Sequence, residues 1–134
     1  MLELEQEDPI PQGDLALQIT ALPRETNGFG DIFGGWLVAQ MDLAGATPAF
    51  ERANGRCATV ALDGMVFHQP VSVGDIVSFY ADVTGTGRTS IKVRVEVYAE
   101  RNPMQPITVK VTDATLTYVA ITQQGEKREL PSIE

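Results

Sequence analysis

The sequence predicts an α+β fold in which an antiparallel β-sheet of about five strands wraps around one long central helix. Three observations carry that expectation. A single run beginning at Gly34 is apolar on nearly every side at helical spacing. The other periodic segments alternate at the two-residue period of a strand. The later strands follow one another mainly through short turns, with no repeat or low-complexity segment between them.

Along the chain, residues 1–13 are acidic, contain Pro9 and Pro11 and have little periodicity. They read as a flexible acidic tail ahead of one domain at 14–134. In "DLALQITAL", Leu15, Leu17, Ile19 and Ala21 alternate with polar neighbours, the mark of a short strand that Pro23 ends. "RETNGFGDIFGG" is a glycine-rich loop. From Gly34 to about Arg52, Trp36, Leu37, Val38, Met41, Leu43, Ala44 and Phe50 leave almost no polar face, which predicts a buried helix. Pro48 has no N–H for the carbonyl of Ala44, so a bend or stop is expected near Thr47.

Strands are expected over 57–68, 76–85, 90–100 and 107–121. Pro70 and Gly74–Asp75 mark a turn. "TGRTS" marks a hairpin, with Gly87 expected at positive φ. In "SIKVRVEVYAE" the apolar residues alternate strictly with polar ones, which predicts one buried face and one wet face. In 107–121 the apolar parity switches from Ile107, Val109 and Val111 to Leu116, Tyr118 and Ala120. That switch requires a bulge or kink near Thr112–Asp113.

The chain has 134 residues, 43% hydrophobic and 21% charged, an ordinary composition for one soluble domain. A net charge of −8 argues against nucleic acid as a partner, since phosphate binding needs a basic face. No apolar run approaches the roughly 18 residues of a membrane span, so membrane insertion is not expected. The N-terminus lacks the basic and apolar regions of a signal peptide. Cys57 is the one cysteine, so no internal disulfide can form. A cytoplasmic location is the expectation these features support.

One residue breaks the helical pattern. Asp42 places a carboxylate inside the apolar run, and its neighbours three and four positions away are Val38, Ala39, Gly45 and Ala46. The small residues leave room there for another backbone or a slender ligand. Two readings follow: a structural carboxylate bonded to a neighbouring loop, or a buried base beside a ligand channel. The helix start bears on the choice. Its first amides lack intrahelical partners and carry the positive end of the dipole. Gly34 and Gly35, without Cβ atoms, let a ligand reach them; plain turn chemistry is the other reading. A donor aimed at a developing oxyanion is worth about 3–4 kcal/mol. Gly35 and Asp42 are seven residues apart, on one helix face and ~10 Å apart along the axis.

Other groups are set aside. His68, the only histidine, is a strand-end residue rather than a triad base, because no G-x-S-x-G elbow is present and Cys57 has no supporting signature. No metal-ligand spacing is found. Asp31 is expected to satisfy loop amides and Asp75 to serve a turn.

These residues also carry a family resemblance. "TNGFGDIFGGWLVAQMD" closely resembles the signature of the YciA-type acyl-CoA thioesterases, relatives of the brain acyl-CoA hydrolases. "VALDGMVFHQPVSVGD", "GRTSIKVRVEVYAE" and "VTDATLTYVAI" resemble the same family in order, over about residues 15–130. The resemblance implies a hotdog fold and hydrolysis of acyl-CoA to free fatty acid and coenzyme A, with no metal or cofactor. It implies that Asp42 is catalytic, as general base or nucleophile, that Asn27 assists, and that the Gly35 amide forms an oxyanion site beside Gly34. It implies a homodimer with shared active sites, Asn27 and Asp42 coming from different subunits, and in many members a trimer of dimers. Many relatives carry a second asparagine where this chain has Phe29. The hairpin residues Arg88, Thr89 and Ser90 are placed by resemblance near the coenzyme phosphates; a solvated turn is the other reading. Extended pantetheine could line the strand near Thr59. A non-catalytic acyl-CoA-binding module is the alternative function. A hotdog hydratase lacks here its usual His/Asp pair on the glycine loop.

Overall fold

The computed structural model describes residues 10–101, 104 and 106–133. Strand β1 spans Asp14–Thr20, helix α1 Gly34–Ala53, β2 Cys57–Asp63, β3 Ile76–Thr86, β4 Ser90–Arg101 and β5 Ile107–Ala120. The five strands form one antiparallel sheet in the order β1-β3-β4-β5-β2, and α1 packs across it, mostly on β3 and β4. This is the expected hotdog arrangement. Of the acidic segment 1–13, residues 1–9 lie outside the described residues. Further on, the Gln12 amide donates to Glu96 Oε1 at 2.7 Å.

The core lies between helix and sheet because both present apolar residues at their own period. The sheet contributes Val77, Phe79, Ile91, Val93, Val95, Val97, Leu116 and Tyr118, and the helix Leu37, Met41, Ala44, Ala49 and Ala53, all buried. Complete burial of a side chain such as Met41 or Phe79 is worth about 1.5–3 kcal/mol. The parity switch in β5 is met by a bulge: Val97 pairs with Thr112 but Tyr98 with Lys110, leaving Val111 as the extra residue.

Several expectations are corrected. The helix does not stop at Thr47; it runs through Pro48 to Ala53, where Asn54 closes it in the left-handed region at φ 52°. Ala49 and Ala53, beyond the proline, are fully buried, so the last turns are held by packing rather than by local propensity. Nor is the helix buried all round: Leu43 is 61% and Phe50 45% exposed, because the single chain offers a sheet to one side only. The strand expected over 57–68 ends at Asp63, where Gly64 turns at φ 74°, so His68 lies in a loop. Gly87 is not at positive φ; its amide donates to the Ser90 carbonyl at 2.9 Å.

The outer face of β4 is only partly wet. Glu96 and Tyr98 are 5% and 4% exposed. Glu96 lies 3.4 Å from Lys110 Nζ, which also pairs with Asp113 at 2.9 Å, and Arg94 joins Asp113 at 3.2 Å. Tyr98 meets Tyr80 edge to face, with ring centroids 5.8 Å apart.

Candidate active site

Asp42 stands in the middle of α1, half-buried, on the side of the helix that turns toward β2 and β5. Its Oδ1 accepts hydrogen bonds from the Thr59 hydroxyl at 2.7 Å and from the Tyr118 hydroxyl at 3.1 Å. Tyr118 also donates to the Asp42 backbone carbonyl at 2.8 Å. Oδ2 has no hydrogen-bond partner among the described residues. Thr59 and Tyr118 sit opposite one another across the β2–β5 ladder, so sheet register delivers both hydroxyls to one carboxylate.

Sequence reasoning left room beside Asp42 for a backbone or ligand. The structure fills part of that room with the chain's own tyrosine. A Cβ built on Gly45 would lie 2.6 Å from the Tyr118 hydroxyl, so glycine at this position is what lets the phenol reach Asp42. Burial, then the charge and hydrogen bond of Asp42, hold the phenol's pKa far above the ordinary tyrosine value. Tyr118 is the site residue that sequence reasoning missed. Its signal was a tyrosine among the inward-facing positions of β5, where a buried hydroxyl must find a partner.

The glycine loop is braced by Asn27. Its Oδ1 accepts from the amides of Phe29 at 2.8 Å and Asp31 at 3.1 Å, and its own amide donates to the Asp31 carbonyl at 2.8 Å. Asn27 thus takes the role expected of Asp31. The helix N-cap is Phe33, without a side-chain cap. The Asn27 NH₂ group has no hydrogen-bond partner among the described residues. No hydrogen bond joins Asn27 to Asp42 within the chain. Phe29 stands 90% exposed on the same loop.

At the helix start a Cβ on Gly35 would meet open space, and one on Gly34 would lie 3.3 Å from the Phe67 ring. A cleft of about 530 Å³ opens here, between Gly34 and Leu37 on one side and the segment Phe67–Val71 on the other. His68 and Asp31 also line it. Asp42 lies about two turns further along and does not line this cleft.

The hairpin Arg88–Ser90 falls at the same end of the sheet as Thr59, since Ile91 pairs with Tyr118 and Tyr118 with Thr59. Arg88 forms an ion pair with Glu129 at 3.3 Å, with both side chains largely exposed. Such a pair is weak and easily redirected to another anion. The backbone carbonyls of Arg88, Thr89 and Ser90 accept from Leu130, Ala120 and Gly87, which leaves the Thr89 and Ser90 hydroxyls uncommitted among the described residues.

Asp75 does more than close a turn. It is 2% exposed, accepts from the Ser72 amide at 2.9 Å and pairs with Arg101 at 3.2 Å. Among the described residues no group of three or more His, Cys, Asp or Glu side chains could hold a metal ion. Among the described residues no helix is long and apolar enough to cross a membrane.

Residues 29–104 match the thioesterase superfamily. Over 124 residues the chain is 47% identical to the acyl-CoA thioester hydrolase YciA of Escherichia coli, an alignment covering 91% of this chain and 94% of that one. Its fold matches a hexameric broad specificity acyl-coenzyme A thioesterase with a TM-score of 0.87 at 44% identity, over 92% of this chain and 85% of the other. A hexameric hotdog fold thioesterase of Campylobacter jejuni matches with a TM-score of 0.84 at 44% identity, over 89% and 91% of the two chains.

Proposed function

The chain belongs to the thioesterase superfamily, and we propose that it hydrolyses acyl-CoA to free fatty acid and coenzyme A through Asp42, in a site that two protomers share. The protein is an acyl-CoA thioester hydrolase and an oligomer, as the relatives it matches along most of its length are. The observation that carries the catalytic reading is the unequal carboxylate: Oδ1 is held by two hydroxyls while Oδ2 is uncommitted on a half-buried helix face.

Oδ2 is the oxygen that acts, either taking a proton from the attacking water or attacking the thioester carbon itself. A well-placed base contributes roughly 10²–10⁴ in rate. The Gly35 amide, at the positive end of the helix, faces the oxygen of the thioester as its carbon becomes tetrahedral. The NH₂ of Asn27, unpartnered among the described residues, orients the same oxygen or the water. The thiolate of coenzyme A leaves without a strong acid, and this reading assigns no metal or cofactor to the reaction.

Spacing supports the sharing. An oxyanion donor and a base acting on one carbonyl must each come within about 3 Å of their targets, whereas Gly35 and Asp42 of one helix are ~10 Å apart. On this reading Asn27 and Gly35 of one protomer meet Asp42 and Thr59 of its partner. Leu43 and Phe50 on α1 and Val60 on β2 are exposed, and β2 is an open sheet edge. Arg88, Thr89 and Ser90 receive coenzyme phosphate.

Thiol release from acyl-CoA, followed with a thiol-reactive dye, tests this reading. Wild type releases thiol; Asp42→Asn binds coenzyme A yet releases none. Binding without turnover by wild type, across short, medium and long acyl chains, would instead identify a non-catalytic acyl-CoA-binding module.

A further inference from the structure

The phenol of Tyr118 touches one residue twice. Its oxygen is 2.8 Å from the Asp42 backbone carbonyl and 3.1 Å from Asp42 Oδ1. The hydroxyl has one hydrogen, which two acceptors of the same residue share. Tyr118 cannot follow a moving carboxylate, because it is 1% exposed on β5, a strand flanked by β4 and β2. Thr59, the other hydroxyl on Oδ1, is exposed and stands on the edge strand β2, beside a bulge at Val60. A carboxylate held only by an exposed edge-strand hydroxyl could swing about its Cβ–Cγ bond and misdirect its free oxygen. A second contact from a rigid ring, anchored to the main chain of the same residue, removes that freedom.

We infer that Tyr118 is a positioning residue for the hydrolysis: it locks the Asp42 carboxylate so that Oδ2 alone is presented to water or thioester, and Gly45 is the gap that admits it. The inference rests on the assignment of Asp42 as the catalytic group. Gly45 supplies independent geometry, since a Cβ there would meet the Tyr118 oxygen at 2.6 Å and its ring at 3.3 Å. The titratable groups facing the phenol are Asp42 on α1 and Cys57 on β2. The phenol stays protonated, held above its usual range by burial first and then by Asp42.

Tyr118→Phe and Gly45→Ala separate this role from a purely structural one. Kinetics of thiol release are measured for each variant, with thermal melting to confirm folding. Tyr118→Phe lowers kcat at least tenfold, since small misplacements of a reacting group cost up to about 10², and KM stays within about twofold because ground-state binding is untouched. Gly45→Ala, which displaces the phenol, lowers kcat in the same way. In the Tyr118→Phe background Gly45→Ala lowers kcat no further, because the hydroxyl it would displace is already gone. A Tyr118→Phe enzyme with kcat within twofold of wild type, alongside an inactive Asp42→Asn, overturns the inference alone. An Asp42→Asn enzyme with wild-type kcat overturns both the inference and the assignment beneath it.

Discussion

Gly45 and Tyr118 are matched in size: the helix supplies hydrogen where any side chain would strike the phenol, at 2.6 Å from a Cβ. Two effects of Gly45→Ala oppose one another. Alanine in a helix interior is favoured over glycine by about 0.8–1.0 kcal/mol. Forcing a methyl into a packed core costs typically 1–3 kcal/mol, and here the obstructing atom belongs to a ring fixed in the sheet. The clash is expected to win, so the melting temperature of Gly45→Ala falls by a few degrees at fixed protein concentration. A rise in melting temperature would show that Tyr118 yields freely.

The outer face of the sheet predicts a pH dependence. Burial alone would raise the Asp113 carboxyl, but the Lys110 hydrogen bond and the Arg94 and Lys110 charges outweigh it, and its pKa lies below the ordinary value. For Lys110 burial lowers the pKa, and the hydrogen bond and charge of Asp113 outweigh it upward. A depressed carboxylate adds stability that is complete above its unfolded pKa, about 3.9, and is lost as pH falls through the folded value. A raised ammonium adds stability that is present below its unfolded pKa of about 10.4 and is lost as pH rises through the folded value. Lys110→Met is therefore expected to lower the melting temperature by an amount that is steady around neutral pH and shrinks in acid, as Asp113 takes up its proton. Melting curves across pH check this; a difference that grows toward acid would contradict it.

Phe50, 45% exposed on α1, is expected to be covered in the oligomer. Burying a phenylalanine is worth about 1.5–3 kcal/mol, and a two-fold interface uses each such residue twice. Phe50→Glu should weaken self-association at least tenfold and lower activity in step with mass. Light scattering coupled to gel filtration, run beside the thiol assay, measures both. A variant of unchanged mass and activity would place the interface elsewhere.

Much of the fold was legible in the residues because its signals are local. The helix run, the strict alternation of β4 and the parity switch in β5 are each readable within a dozen positions, and the bulge falls at Val111, beside the expected Thr112. What was not legible depended on contacts between distant elements. Pro48 was expected to bend or stop the helix near Thr47; the helix continues to Ala53, with Ala49 and Ala53 beyond the proline fully buried. Glu96 was expected to be wet, and only the arrival of the Gln12 amide and Lys110 shows why it is buried. Asp42 announced itself as a charge in an apolar run. Tyr118 did not, because its partner lies 76 residues away and the register of β5 against β2 and α1 is needed to bring them together. Asn27, assigned from resemblance, proves also to brace its own loop, a role set by its side-chain oxygen.

The shared site is tested most directly by mixing two inactive proteins. Asn27→Ala and Asp42→Asn are each purified, then dissociated and reassociated together, and thiol release is measured. If Asn27 and Asp42 meet across protomers, a mixed dimer holds one doubly damaged site and one intact site. Random pairing then restores about a quarter of wild-type activity. If instead each site is built within a single chain, every site in the mixture carries a lesion, and activity stays at the level of the separate variants.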